Sequence, residues 1–475
     1  MTELARDAFI DGHWVPGARR FVVADPFDNA PIAEVTACSE AHVDDAVAAA
    51  ARAFPAWRAR AGGERGKLLA QLAARMLADE DRLAALCTRE NGKPLAESIG
   101  EVRYAASFLH WFAGEAERGY GETIPATNPA QRLTVIREPV GPCALITPWN
   151  FPYAMLTRKL GAALAAGCTV VAKPAEQTPL SALALAQLAE QIGVPAGVIN
   201  VITTDQAEAI GGRLLAAPAI RKISFTGSTE VGKLIARGAA ADLKRVSLEL
   251  GGNAPFVVLA DADVDAAVAA AMIAKFRNTG QSCVAANRFI VEAPVAAAFT
   301  AKLVAGVAKL VVGRGSDPGV TIGPLIDDAG VAKVKRLVGD ALARGARLVY
   351  GAMHEGSSRL VAPIVLDQIT PAMALWREEI FGPVVAIRSA ADEADALAQA
   401  NDTEYGLVAY VFTRDGARQQ RFAEALETGM VGVDEGLVST AQAPFGGIKH
   451  SGIGREGSHH GLSDYTNLKY IARRV

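Results

Sequence analysis

The chain reads as an α/β protein: two doubly wound, Rossmann-like units plus a small β element. Three observations predict this. Between about residues 132 and 260, short apolar runs alternate with helical stretches, as in a parallel sheet covered by helices on both faces. A second alternation of the same kind runs from about 261 to 425. The chain has 475 residues, which is too many for a single hydrophobic core.

Each element follows from its local pattern. Residues 40–120 read as helices. The stretches 44–54 and 64–77 carry apolar residues at three-and-four spacing, and 79–90 continue it. Gly92-Lys93-Pro94 then breaks the pattern. In the first alternation, strands are expected at 133–137, 142–146, 169–172, 198–201, 222–225, 245–249 and 255–258. Its helices are expected at 158–166, 181–191, 205–216 and 229–240. The second alternation predicts helices at 264–276, 293–307, 329–343 and 392–400, with strands at 288–291, 347–349, 384–387 and 409–412. The Gly-rich stretch from Pro444 to Gly461 reads as a structured loop, and 468–475 as an added strand.

Composition narrows the function classes. Apolar residues make up 51% and charged residues 21%, ordinary values for a soluble globular protein. A net charge of −3 and a pI near 6.2 leave no electrostatic footprint for nucleic acid or an anionic membrane. The first residues lack the apolar run of a signal peptide. Five scattered cysteines without a Cys-x-x-Cys pair argue against a disulfide framework or a metal site, and fit a reducing cytoplasm.

Three segments carry candidate chemistry. The stretch from Phe276 to Arg288 contains Gly280-Gln281-Ser282-Cys283 between a helix and a strand. Cys283 there is a candidate nucleophile, and a thiol with an ordinary pKa of roughly 8.5 needs activation to react as thiolate. The strand at 245–249 ends in Glu249 and is followed by Leu250-Gly251-Gly252. A carboxylate at the C-terminal end of such a strand suits a general base. The third segment is Thr147-Pro148-Trp149-Asn150-Phe151-Pro152. The amide of Asn150 can bind a developing oxyanion.

Two further segments suit a dinucleotide. Lys173-Pro174-Ala175-Glu176 follows a strand and offers a lysine and a carboxylate to the two ribose hydroxyls. Glu176 would repel a 2′-phosphate and tilts the choice toward NAD over NADP. Phe225-Thr226-Gly227-Ser228 leads from a strand into a helix, whose free N–H groups attract a pyrophosphate. The three-glycine dinucleotide fingerprint is missing.

With Glu378-Glu379-Ile380-Phe381-Gly382-Pro383, these segments occur in an order that resembles the aldehyde dehydrogenase superfamily over nearly the whole chain, from about residue 8. The resemblance implies Cys283 as nucleophile, Glu249 as general base, and Asn150 with the Cys283 backbone N–H as oxyanion hole. It places Lys173 and Glu176 on the adenosine ribose, Gly227 and Ser228 near the pyrophosphate, and Glu379 and Phe381 on the nicotinamide ribose. Trp149, Pro174, Ala175 and Leu250 are expected to complete the cofactor site. The implied units are cofactor-binding at 1–119 and 140–250, catalytic at 251–452, and oligomerising at 120–139 and 453–475. The last would join a homodimer or homotetramer.

Within the superfamily the pattern most resembles the succinate-semialdehyde dehydrogenase group. The resemblance assigns Arg158, Arg277 and Ser439 to the distal carboxylate of the substrate, and two guanidinium forks with a hydroxyl make a good carboxylate clamp. Ala285 stands where some relatives carry a second cysteine, so their regulatory disulfide is not expected here. Glu379-Ile380-Phe381 looks more like general aldehyde dehydrogenases, which keeps glutarate semialdehyde and a broad-specificity enzyme open. Glu249 disfavours CoA acylation. The absence of a His motif beside Cys283 disfavours a thiol hydrolase. Intact Cys283, Glu249 and Asn150 disfavour a non-catalytic, crystallin-like structural protein.

Overall fold

A computed structural model describes residues 4–475. The first of its two large sheets runs, in spatial order, His13–Val15, Ala8–Ile10, Ile199–Val201, Val170–Lys173, Cys143–Ile146, Lys222–Thr226, Arg245–Glu249 and Gly452–Ile453. Its five central strands are parallel, and antiparallel strands close both edges. Val170–Lys173 and Lys222–Thr226 are buried along their whole length; the first reads as an apolar run, whereas the second alternates polar and apolar residues and buries both sets.

The second sheet is ordered Arg347–Tyr350, Ile364–Asp367, Val384–Ala390, Ala286–Glu292, Ala254–Val258, Val408–Phe412 and Met430–Val433. All neighbours are parallel except the first pair. Both sheets are therefore doubly wound, as the alternating pattern predicts. In the first, strand order reverses between Cys143–Ile146 and Lys222–Thr226. A crevice opens at such a reversal, beyond the carboxyl ends of the strands.

A third, three-stranded sheet joins Glu122–Ile124, Gln131–Pro139 and Thr466–Arg474. The long pair runs antiparallel from Thr466↔Pro139 to Arg474↔Gln131. The boundary expected at 453 falls elsewhere. Gly452 and Ile453 pair with Glu249 and Leu248, and the helix Ser458–Ser463 packs on the helices Leu95–Glu115 and Pro152–Ala166. Only the chain from Thr466 onward enters the small sheet.

Two helices cross the interior of the first unit. Pro152–Ala166 is buried on every side, with a proline in its first turn, where the missing N–H costs nothing. It begins six residues before the expected start at Arg158. Leu95–Glu115 packs along it and buries Ser98, Glu101, Val102, Ala105, Phe108 and Phe112.

The second unit is pinned by one buried cation. Arg288 donates from Nε to the Asn253 carbonyl at 3.1 Å, and from its two Nη atoms to the carbonyls of Gln399 at 2.7 Å and Ala400 at 2.8 Å. It thereby satisfies the C-terminus of the helix Glu393–Asn401. Replacing Arg288 with Met leaves three buried carbonyls without donors, and is expected to cost about 3 kcal/mol or more. Thermal unfolding checks this, and an unchanged melting temperature would refute it.

Candidate active site

The register of the first sheet gathers the motif segments at one edge. Ile146 lies opposite Lys173 and Phe225, and Thr226 opposite Glu249. The chain leaves these strand ends as 147–152, 174–179, 227–229 and 250–253. A cleft of about 330 Å³ opens there. It is lined by Trp149, Asn150, Gly227, Ser228, Leu250, Cys283, Glu379 and Phe381, among others.

Cys283 follows three residues with left-handed backbone: Asn278, Thr279 and Gly280, at φ 50, 58 and 76°. Only a loop held from outside keeps non-glycine residues in that region. Asn278 N–H donates to Glu97 Oε2 at 2.6 Å, and its side chain donates to the Asn150 carbonyl at 2.8 Å. The other four cysteines are buried, while Cys283 opens partly to the cleft. Burial pushes its thiol up to about 12. Arg158 acts in the opposite direction, while the Glu379 and Glu249 carboxylates raise it further.

Asn150 is buried between the two units. Its Oδ1 accepts from the Phe151 N–H at 3.1 Å, and its Nδ2 donates to the Gln281 carbonyl at 3.3 Å. The amide is thus oriented toward the Cys283 segment, with one of its two protons uncommitted. Glu249 is buried, and its Oε2 has no hydrogen-bond partner. Burial holds its carboxyl well above the usual carboxylate range. The Glu456 carboxylate adds to this, and Arg158, Lys159 and Arg455 oppose it.

The glycines of this edge are matters of space. A Cβ on Gly252 would sit 2.2 Å from the Cys283 carbonyl oxygen, and one on Gly227 would sit 2.4 Å from the Phe225 ring. Gly227 N–H donates to the Glu249 carbonyl at 3.0 Å, and Gly252 N–H donates to Glu379 Oε1 at 2.9 Å.

These surroundings fit a dinucleotide. Ser228 caps the helix Thr229–Ala240 through the Val231 N–H at 3.3 Å, so a helix N-terminus faces the cleft. Glu379 would offer its carboxylate to ribose hydroxyls, and burial pushes it up to about 7. Phe381 meets Trp149 edge to face, with ring centroids 5.5 Å apart. Lys173, Pro174, Ala175 and Glu176 lie along the same strand edge but do not line the 330 Å³ cavity. Lys173 Nζ donates to the Pro174 carbonyl at 3.3 Å and stands 4.0 Å from Glu176 Oε2.

The three expected clamp residues converge on one that the sequence reading missed. The guanidinium charges of Arg158 and Arg277 and the hydroxyl of Ser439 all bear on the buried Tyr104 phenol. Arg158 is not free to serve substrate alone. Its Nε stands 2.5 Å from Glu456 Oε2, and its guanidinium lies 4.2 Å from the centre of the Phe445 ring. Glu456 also pairs with Lys159, which donates to Thr226 Oγ1 at 2.7 Å. Arg277 lies over the Phe151 ring at 5.1 Å, and among the described residues no carboxylate is in ion-pair contact with it. Glu97, Glu101 and Tyr104 share one face of the helix Leu95–Glu115 by their spacing. That spacing, with two acids on an otherwise apolar face, is the signal that could have found them.

Comparison with known proteins agrees with this geometry. The model of the aldehyde dehydrogenase family matches residues 14–471. A glutarate-semialdehyde dehydrogenase of Pseudomonas aeruginosa is 50% identical over 469 residues, 98% of this chain and 97% of the relative. An NADP-dependent succinate-semialdehyde dehydrogenase of Escherichia coli is also 50% identical, over the same shares. The crystal structure of a succinate-semialdehyde dehydrogenase from Burkholderia pseudomallei superimposes with a TM-score of 0.98 at 48% identity, covering 100% of both chains. The chain belongs to the aldehyde dehydrogenase family.

Proposed function

We propose that this aldehyde dehydrogenase oxidises a short aldehyde bearing a distal carboxylate, succinate semialdehyde first, with NAD as the preferred cofactor. The observation that carries the substrate assignment is Arg277, a half-buried guanidinium with no ion-pair partner among the described residues, beside Arg158, Ser439 and the Tyr104 hydroxyl. A substrate carboxylate would satisfy that set. The same clamp suits glutarate semialdehyde, one methylene longer, a reading favoured by the Pseudomonas aeruginosa relative.

The chain's own groups then account for the chemistry. Cys283 sulfur adds to the aldehyde carbon, and its proton passes to Glu249. The carbonyl oxygen becomes an oxyanion, held by the free Asn150 amide proton and the Cys283 N–H. When bound, the nicotinamide accepts the hydride that the carbon gives up, which leaves a thioester on Cys283. Glu249 passes the thiol proton on to solvent and then takes a proton from water; the hydroxide attacks the thioester, Cys283 leaves as thiolate, and the acid is released. The Arg158 charge beside Cys283 favours the thiolate.

The Glu176 carboxylate beside Lys173 supports NAD, because it would stand against a 2′-phosphate. The nine-residue strand Thr466–Arg474 is the outer strand of the small sheet, and Leu468 and Tyr470 on it are exposed. A long, unpaired, apolar edge invites a second chain, which supports a homodimer or homotetramer. No helix among the described residues is long and apolar enough to cross a membrane. Five free cysteines support a reducing, cytoplasmic setting.

Three outcomes test the reading. With succinate semialdehyde, Arg277→Ala is expected to lower kcat/KM by about two orders of magnitude or more, and Tyr104→Phe by about tenfold. Either change should leave butanal within a few-fold, and equal losses on both aldehydes would refute the clamp. Glu176→Ser is expected to raise kcat/KM for NADP relative to NAD, and an unchanged ratio would remove its role. The general base works only when deprotonated, and the Glu249 carboxyl is raised. Thioester hydrolysis should therefore climb with pH above the usual carboxylate range. In Glu249→Gln that climb should vanish and a burst of reduced cofactor should precede slow turnover. A wild-type pH profile in this variant would exclude Glu249 as the base.

A further inference from the structure

The break Gly92-Lys93-Pro94 places a lysine where no solvent reaches it. The Lys93 side chain is 0% exposed, and its ion-pair partner Glu101 is 1% exposed. Neither group touches the cleft, and neither takes part in the reaction described above. A buried ion pair is weak evidence for stability, because desolvation offsets the attraction. What this pair does hold is geometry.

Lys93 Nζ donates to the Asn150 carbonyl at 2.7 Å and lies 4.1 Å from the centre of the Phe151 ring. Glu101 Oε2 takes the ion pair, and its Oε1 accepts from the N–H groups of Tyr153 at 2.9 Å and Ala154 at 3.3 Å. Asn91 donates to the Trp149 carbonyl at 2.9 Å. Main-chain groups of 149, 150, 153 and 154 are therefore fixed by three side chains from one short stretch. On the other side, Glu97 accepts from the N–H of left-handed Asn278, which returns a bond to the Asn150 carbonyl. Both loops that face the reacting carbon are thus referenced to the first two turns of one helix, Leu95–Glu115.

We propose that the buried Lys93–Glu101 pair is a positioning device for the oxyanion site, holding Asn150 in register with the segment that carries Cys283. The inference rests on Asn150 serving as the oxyanion donor. Lys93 holds its main chain, while Asn150 presents its side-chain amide to the cleft. The charges that bear most on the Cys283 sulfur are those of Arg158, Glu379 and Glu249. Loss of the pair should misplace the donor without changing the thiol.

The test uses the full chain with Lys93→Met/Glu101→Gln. The glutamine keeps an acceptor for Tyr153 and Ala154, so no unpaired charge is left behind. Three reactions separate the causes. Aldehyde turnover needs nucleophile, oxyanion site and cofactor. Hydrolysis of p-nitrophenyl acetate without cofactor needs the first two. Alkylation of Cys283 by iodoacetamide needs only the thiolate.

The variant is expected to lose roughly tenfold to a hundredfold in kcat on succinate semialdehyde and butanal alike, and in ester hydrolysis, a loss up to that of a missing oxyanion donor. Alkylation and the KM for NAD should stay within about twofold. Turnover and ester hydrolysis near wild type would overturn the proposal. So would alkylation falling in parallel with them, which marks a general collapse of the cleft. Glu101→Gln alone is expected to show the same selective loss, and decides the matter if the double variant does not fold. Asn150→Ala is run beside them. If it hydrolyses the ester at the wild-type rate, the oxyanion assignment itself fails, whatever Lys93 does.

Discussion

The cleft depends on one close approach between two main chains. Gly252 leaves the Glu249 strand and passes the Cys283 carbonyl with no room for a side-chain carbon. Its N–H is held by Glu379. Three segments that are distant in sequence, each carrying one reacting or cofactor-facing group, therefore meet at a residue without a side chain. Widening that contact by a methyl group would move Cys283, Glu249 and Glu379 apart together.

Around this contact the first unit buries several ionisable groups. Arg158 and Lys159 share Glu456, Lys93 is paired with Glu101, and Glu90 accepts from the N–H groups of Leu180 and Ser181. Apolar side chains of equal volume would hold such places about as well. The charges instead fix direction, since each has donors or acceptors that only one arrangement satisfies. Burial also sets the resting protonation of the site, because the thiol of Cys283 and the carboxyl of Glu249 are both raised by it.

How much was legible in the sequence follows from the same physics. The parallel strands are buried on both faces, so Val170–Lys173 and Ala254–Val258 stood out as apolar runs. Cys283, Glu249 and Asn150 were visible because glycines and prolines frame them. The strands Ala8–Ile10 and His13–Val15 are three residues each, too short for any period to register. The helix Pro152–Ala166 is buried all round, which erases the 3.6-residue signal at its start. Glu97 and Glu101 stand with Tyr104 on an otherwise apolar helix face, a signal whose meaning shows only when Lys93 and Asn278 are seen against them. The partnership of Arg158 with Glu456 joins opposite ends of the chain, and no local pattern carries it.

That last partnership bears on how the protein is made. The strand that closes the first sheet, Gly452–Ile453, and the carboxylate that neutralises Arg158 and Lys159 both leave the ribosome after the entire second unit. In the finished fold that C-terminal segment supplies both the edge strand beside Glu249 and the carboxylate that pairs with Arg158 and Lys159. The first unit therefore reaches its final charge balance only once the C-terminal segment has docked.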